Sequence, residues 1–279
     1  MVPRGVEALC RFRSAPCRSP DRWFAEAAEV GRAEALGCAV VERALLALDR
    51  LPAPACLSVD ASPATVESGA LAQVLAEREG GRDLSRVVLE VTGQAVATDH
   101  DRILWHLDAR RDQGLRLAVH DAGAGYAGLR RLLRLRPDVI KLDMSPTRDV
   151  DTDRARARAS LAEAMTAFAR KTGAVVVAEG LGTEGGLAAL RGLGVDCGQG
   201  HLLGRPVPLD QATARLRAVA PPGGEVARPR RLAPHGARGP AQGPGAGRLS
   251  PRRVAAPRSA NSLHSMRSPR PRRELLSGP

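Results

Sequence analysis

A parallel (β/α) barrel of the TIM-like kind is the fold class this 279-residue sequence predicts. Three observations predict it. Short apolar runs without a polar face alternate with helical stretches, as strands covered on both faces do. Strand–helix units recur every roughly 25–35 residues, which implies crossovers and therefore a parallel sheet. Acidic residues stand at the ends of successive strands, where a barrel gathers its ligand-binding groups. A doubly wound open sheet is the structural alternative.

The elements follow in chain order. VEALCRF (6–12) reads as the first strand. AEAAEVGRAEALGCAVVERALLAL (25–48) repeats apolar residues at helical spacing and reads as one helix. CLSVDAS (56–62) and RVVLEV (86–91) are Val- and Leu-rich strands. DHDRILWHLDARRDQG (99–114) opens on Asp and stops at Gly, as helices do. LRLAVHD (115–121) and DVIKLD (138–143) are strands, and DRARARASLAEAMTAFARKTG (153–173) is a helix ended by Gly. AVVVAEG (174–180) is a strand, and a further unit ends near VDCGQG (195–200). That makes about seven strand candidates, near the eight of a complete barrel. Aromatics are only 2% of the chain, so its core is built from Ala, Val and Leu.

From Pro221 onward the pattern stops. Residues 221–279 hold 11 of the 21 prolines and 12 arginines against two acids, Glu225 and Glu274. Such a segment buries too little apolar surface to offset its ordering entropy, so a disordered Arg/Pro-rich tail is expected after a barrel domain of residues 1–220. The tail carries +10 of the net +12, leaving +2 for residues 1–220. The basic balance is therefore no nucleic-acid footprint of the barrel. The tail's arginines could bind nucleic acid or anionic lipid nonspecifically; without Lys or aromatics, a solvated linker is the favoured reading. Cys10, Cys17, Cys38, Cys56 and Cys197 show no CxxC spacing, which argues against a zinc site or disulfide framework and for a reducing, cytoplasmic setting. No apolar run approaches the ~20 residues of a membrane helix, and the first residues lack a signal-peptide core.

The chemistry lies at the strand ends. Glu7, Asp60, Glu90, Asp121, Asp143 and Glu179 sit in or at the end of predicted strands. One such acid commonly caps the next helix; six on successive strands point to a shared site. Crowded carboxylates raise one another's pKa unless a cation joins them. Oxygen ligands without His or Cys clusters favour Mg²⁺ or Mn²⁺ over zinc. Lys141 alternates with core residues in VIKLD and needs an anionic partner, either in the mouth or in a structural ion pair with Asp143 or another acid. Arg11 could meet a phosphate bidentately, or could be a surface arginine.

These residues resemble the EAL-domain cyclic-di-GMP phosphodiesterases. The name motif is Glu7-Ala8-Leu9 within GVEALCR, with Arg11 beyond it. LSVDASP, LEVTG, HDAGAGYAGL, PDVIKLD, VVAEGLGTE and GQGHLLGRP resemble six further family segments, in the family's order, across about residues 5–210. The resemblance implies hydrolysis of one phosphodiester bond of cyclic-di-GMP at a centre of two Mg²⁺ or Mn²⁺ ions. It implies Glu7, Asp60, Glu90 and Asp121 as metal ligands, with His120 at the remaining ligand position. Glu179, Lys141 and Gln199 would be catalytic, Asp143 would support Lys141, and Leu9 and Arg11 would bind the nucleotide. It also implies another strand before the Glu7 strand; only MVPRG precedes it here, so a barrel lacking that strand is expected.

Several residues depart from the family. His120 stands at the first of the paired aspartates, where a neutral imidazole offers one lone pair in place of a carboxylate's two oxygens. Gly93 and Gly182 stand where the family has glutamates. Asp60 stands for an asparagine and keeps an oxygen ligand. Two functional classes follow: a cyclic-di-GMP phosphodiesterase of impaired activity, or a catalytically inactive module that binds cyclic-di-GMP or signalling proteins. The family's homodimer is a further expectation that no sequence feature here establishes.

Overall fold

The structure, a computed structural model, describes residues 3–76, 84–91, 100–120, 125–143 and 152–219. Among the described residues, seven strands form one sheet in the order β1 to β7: Gly5–Ala8, Cys56–Ala61, Val87–Val91, Arg116–Val119, Val139–Asp143, Val175–Glu179 and Cys197–Gly198. Every neighbouring pair is parallel. The sheet curls, because Lys141 on β5 reaches carboxylates on β1, β3 and β6. The expected parallel α/β barrel architecture is thus present as a curled seven-stranded part-barrel.

The helices in chain order are α1 (Pro20–Glu29), α2 (Ala33–Leu48), α3 (Pro63–Glu67), α4 (Ala70–Ala76), α5 (His100–Asp112), α6 (Gly125–Leu135), α7 (Thr152–Thr172), α8 (Glu184–Gly192) and α9 (Leu209–Val219). The single helix expected over 25–48 is two. Gly31 takes φ +67, Gly31 N–H bonds Ala28 O at 3.1 Å, and Arg32 N–H bonds Ala27 O at 2.6 Å. This pair of bonds closes a helix C-terminus around a left-handed residue. Apolar spacing continues through the break, so periodicity alone does not reveal it. Nothing lies within 4 Å of a Cβ built at Gly31, so Gly31→Ala tests backbone conformation alone. It should lower stability by about 1–2 kcal/mol in urea unfolding; an unchanged midpoint would count against this account of the break.

Strand alternation sorts the core into two layers. Leu57, Val59, Leu89, Leu117, Val119, Ile140 and Val176 are fully buried on the outer face, packed with helical residues such as Val41, Leu45, Leu71, Ile103 and Leu107. Each such side chain contributes roughly 1.5–3 kcal/mol of burial. The opposite face carries a separate small cluster, Val88, Ala118 and Val139, with Val177 packed against it. On four strands, the residue two positions after a member of this inner cluster is Glu90, His120, Lys141 or Glu179. The inner plug therefore sits directly beneath the mouth.

The domain boundary expected at 220 falls just after α9, the last described helix. The tail expected over 221–279 lies outside the described residues. Among the described residues, no helix is long and apolar enough to cross a membrane.

Candidate active site

Parallel register staggers the site residues stepwise around the curled sheet, with Glu90 aligned to Ala118 and Ala118 to Val139, two residues before His120 and Lys141. Asp60 is paired with Glu90 across β2–β3, Glu7 with Ser58 across β1–β2, and Asp143 with Glu179 across β5–β6. Strand ends are fixed by the caps that follow them. Ser62 Oγ accepts from Thr65 N–H at 3.2 Å and Pro63 opens α3, turning the chain just after Asp60. Thr183 Oγ1 caps α8 the same way, bounding the loop after Glu179.

Lys141 is the hub. Its side chain is 4% exposed, and Nζ donates to Glu7 Oε2 at 3.0 Å and Glu90 Oε2 at 2.6 Å and contacts Glu179 Oε1 at 2.7 Å. Lys141 lies at the mouth and is at the same time ion-paired to acids from three other strands, so both expected placements describe it. Gln199 Nε2 donates to the same Glu7 oxygen at 2.5 Å. Ser58 Oγ donates to Glu90 Oε1, so each Glu90 oxygen has its own donor. His120 Nε2 meets Glu179 Oε2 at 2.6 Å, opposite the oxygen that Lys141 holds.

The electrostatics follow from this crowding. Burial, with Glu7 adding to it, pushes the Glu90 carboxyl up to about 7 even though Lys141 and Ser58 pull it down. Asp60 opens to the mouth, yet desolvation by the barrel wall and then Glu7 raise it too. Burial works against charge on Lys141, but Glu90 and Glu7 outweigh it, and the ammonium titrates above its ordinary range. Burial likewise opposes the Glu179 charge; hydrogen bonds from His120 and Lys141 win, and its carboxyl stays below the usual value.

A cavity of about 520 Å³ opens beside this ring, lined by His120, Asp143 and Glu179 on one side and by Gly180–Gly182, Gln199–His201, Gly204 and Pro206 on the other. It is of small-molecule size. Asp143 is exposed at its edge. Gly182 has nothing within 4 Å of a Cβ position, so the rim is open there. Leu9, 45% exposed, and Arg11 follow β1, and Arg11 Nη1 donates to Cys10 O at 2.7 Å. Asp121 and Gly93 lie outside the described residues.

The donor set suits a hard divalent cation. Glu7, Asp60, Glu90 and Glu179 bring four carboxylates against one ammonium, and desolvation raises Glu90 and Asp60, a cost that a bound cation would offset. Among the described residues, no group of three or more His, Cys, Asp or Glu side chains is arranged to hold a metal ion; the carboxylates converge on Lys141 instead.

Ser58 was not among the residues expected from sequence. Its signal was available: it precedes Asp60 by two in a strand, so it shares that inward face.

A curled parallel α/β sheet with carboxylates gathered at its C-terminal mouth is the class that fold and site define. The EAL domain model matches residues 2–206, and the chain belongs to that family. A signaling protein of Caulobacter vibrioides is 35% identical over 225 residues, 78% of this chain but 27% of that protein. The cyclic di-GMP phosphodiesterase NbdA of Pseudomonas aeruginosa is 37% identical over 138 residues, covering 48% of this chain and 17% of NbdA. This chain therefore matches only about a quarter or less of the length of these two relatives. Among solved structures, Klebsiella pneumoniae BlrP1 in a manganese/cyclic-di-GMP complex superposes with a TM-score of 0.58 at 29% identity, covering 72% of this chain and 51% of that one.

Proposed function

We propose that this chain binds cyclic-di-GMP at the barrel mouth and hydrolyses it to the linear dinucleotide at reduced rate, using Mg²⁺ or Mn²⁺. The observation that carries this is the buried Lys141 ringed by Glu7, Glu90 and Glu179, with Asp60 alongside. The phosphodiesterase name of NbdA and the nucleotide and manganese in the BlrP1 complex support the substrate and the metal class.

In this reading Glu7, Asp60, Glu90 and Asp121 hold the metal, with His120 at the remaining ligand position. When bound, divalent ions supply Lewis acidity and lower the pKa of water. The chain's own residues do the rest. Lys141 fixes Glu7, Glu90 and Glu179 relative to one another and offers a positive charge to a phosphate oxygen. Glu179, held below its usual pKa by His120 and Lys141, stays ionised at the mouth, where it would help hold metal and attacking water. Gln199 orients Glu7, and Leu9 and Arg11 face the nucleotide. A cytoplasmic setting, a homodimer and signalling partners belong to the same reading.

One observation favours a second reading, binding without turnover. His120 Nε2 is engaged by Glu179, which draws that nitrogen away from a ligand role.

Turnover of cyclic-di-GMP with Mg²⁺ or Mn²⁺, run beside a binding titration, separates the two. The first reading expects slow hydrolysis that Glu7→Ala lowers by at least about 100-fold, and a gain of rate in His120→Asp. Tight binding with no hydrolysis in the parent chain would establish the second reading instead, and absence of both would refute each.

A further inference from the structure

The barrel floor, opposite the mouth, holds a second cluster of reactive groups. Strand alternation turns Cys56 and Arg116 to the inner face, two residues before Ser58 and Ala118. Arg116 reaches from β4 past β3 and donates from Nη2 to Cys56 Sγ at 2.7 Å. Its Nε is buried and has no acceptor among the described residues, a costly state for a guanidinium N–H. Nε–H and Nη2–H share one edge of the guanidinium, the edge that grips two acceptors at once. Here that edge holds one acceptor, the sulfur, and lacks the other. Gly5, beside Cys56 in register, closes the wall without a side chain: a Cβ there would come within 2.3 Å of Cys56 O. Cys56 itself is half-buried, so a small solute can reach it.

We propose that Cys56 is a site of reversible oxidation by peroxides, with the Nε–H of Arg116 receiving the oxygen added to its sulfur. The sulfur attacks one oxygen of hydrogen peroxide and the O–O bond breaks. The departing hydroxide takes the thiol proton and leaves as water. Sulfur loses two electrons and the peroxide gains them. The sulfenic acid so formed carries an acceptor oxygen on the sulfur that already occupies the Nη2 half of the fork, which brings it to the empty half. Two equivalents of a low-molecular-weight thiol reverse the change: the thiol of Cys56 returns, and a small disulfide and water are released. Cys197 shares the floor but is a poor competitor, since burial and then Asp196 push its thiol up.

The test uses the full chain, reduced and then pulsed with hydrogen peroxide in the presence of dimedone, with each cysteine quantified by mass spectrometry. Cys56 should be labelled about ten-fold faster than the exposed Cys17. When dimedone is instead added only after the pulse, a thiol wash between the two steps should remove the Cys56 signal. Arg116→Lys keeps the charge but loses the Nε–H and the fork, and should bring Cys56 down to the Cys17 rate. Equal labelling of Cys56 and Cys17 in the parent chain overturns the proposal, as does an unchanged Cys56 rate in a folded Arg116→Lys variant. If that variant does not unfold cooperatively, the parent ratio decides: ten-fold supports the proposal and parity ends it.

Discussion

Lys141→Met should cost the metal-free protein about 3–5 kcal/mol, because truncating one member of a buried ion cluster leaves the others uncompensated. Methionine keeps the length and apolar stem, so lost charge, not lost volume, dominates. The three acids that Nζ now holds, Glu7, Glu90 and Glu179, would face one another across a dry interior. Two remedies should then appear. Lowering the pH should recover stability as the acids take up protons. Adding Mn²⁺ should recover it as well, and more strongly in the variant than in the parent chain, since the variant mouth has no internal cation to displace. Urea midpoints with and without chelator measure both effects. A variant as stable as the parent in chelator would refute the hub role assigned to Lys141.

The second large effect is a pH dependence centred on Glu90. Its carboxyl is raised from 4.5 to about 7 in the fold, so between these values the native state holds a proton that the unfolded chain has lost. Stability linked to Glu90 is therefore fully present below about pH 4.5 and is lost as pH rises through about 7. Lys141, displaced upward, stays charged across this window. In chelator, the melting temperature should fall over this range in the parent chain. Glu90→Gln, which cannot ionise, should show a flatter profile over the same range. Added Mg²⁺ or Mn²⁺ should flatten the parent profile too, because a cation favours the charged carboxylate. Parallel profiles for parent and variant would refute the assignment.

The strands were legible because each apolar run is buried on its outer face and covered by helices, so Leu57, Val59, Ile140 and Val176 needed no polar partners to announce them. Strand-end acids were legible for the same reason: alternation fixes which face Glu90 and Lys141 share. The partners of Lys141 were not. Which carboxylates it meets depends on how far the sheet curls, and no local pattern encodes contacts from β5 to β1 and β3. The pairing of His120 with Glu179 spans β4 and β6 and was hidden in the same way. The helix break at Gly31 escaped because a glycine cap interrupts backbone geometry without interrupting apolar spacing. Arg116 and Cys56 lie 60 residues apart on strands that are not neighbours, and neither belongs to a motif.

The plug of Val88, Ala118, Val139 and Val177 also works as an insulating partition. It divides the inside of the part-barrel into two compartments of opposite character: an anionic chamber above, crowded with carboxylates, and a chamber below that holds a guanidinium and a thiol. Aliphatic groups conduct neither protons nor ions, and they offer water nothing to bind, though Val177 is only half-buried. Events in one chamber are therefore felt in the other mainly through the strands themselves. Ala118 is the thinnest part of that partition, and a polar side chain there would open a conduit between the two.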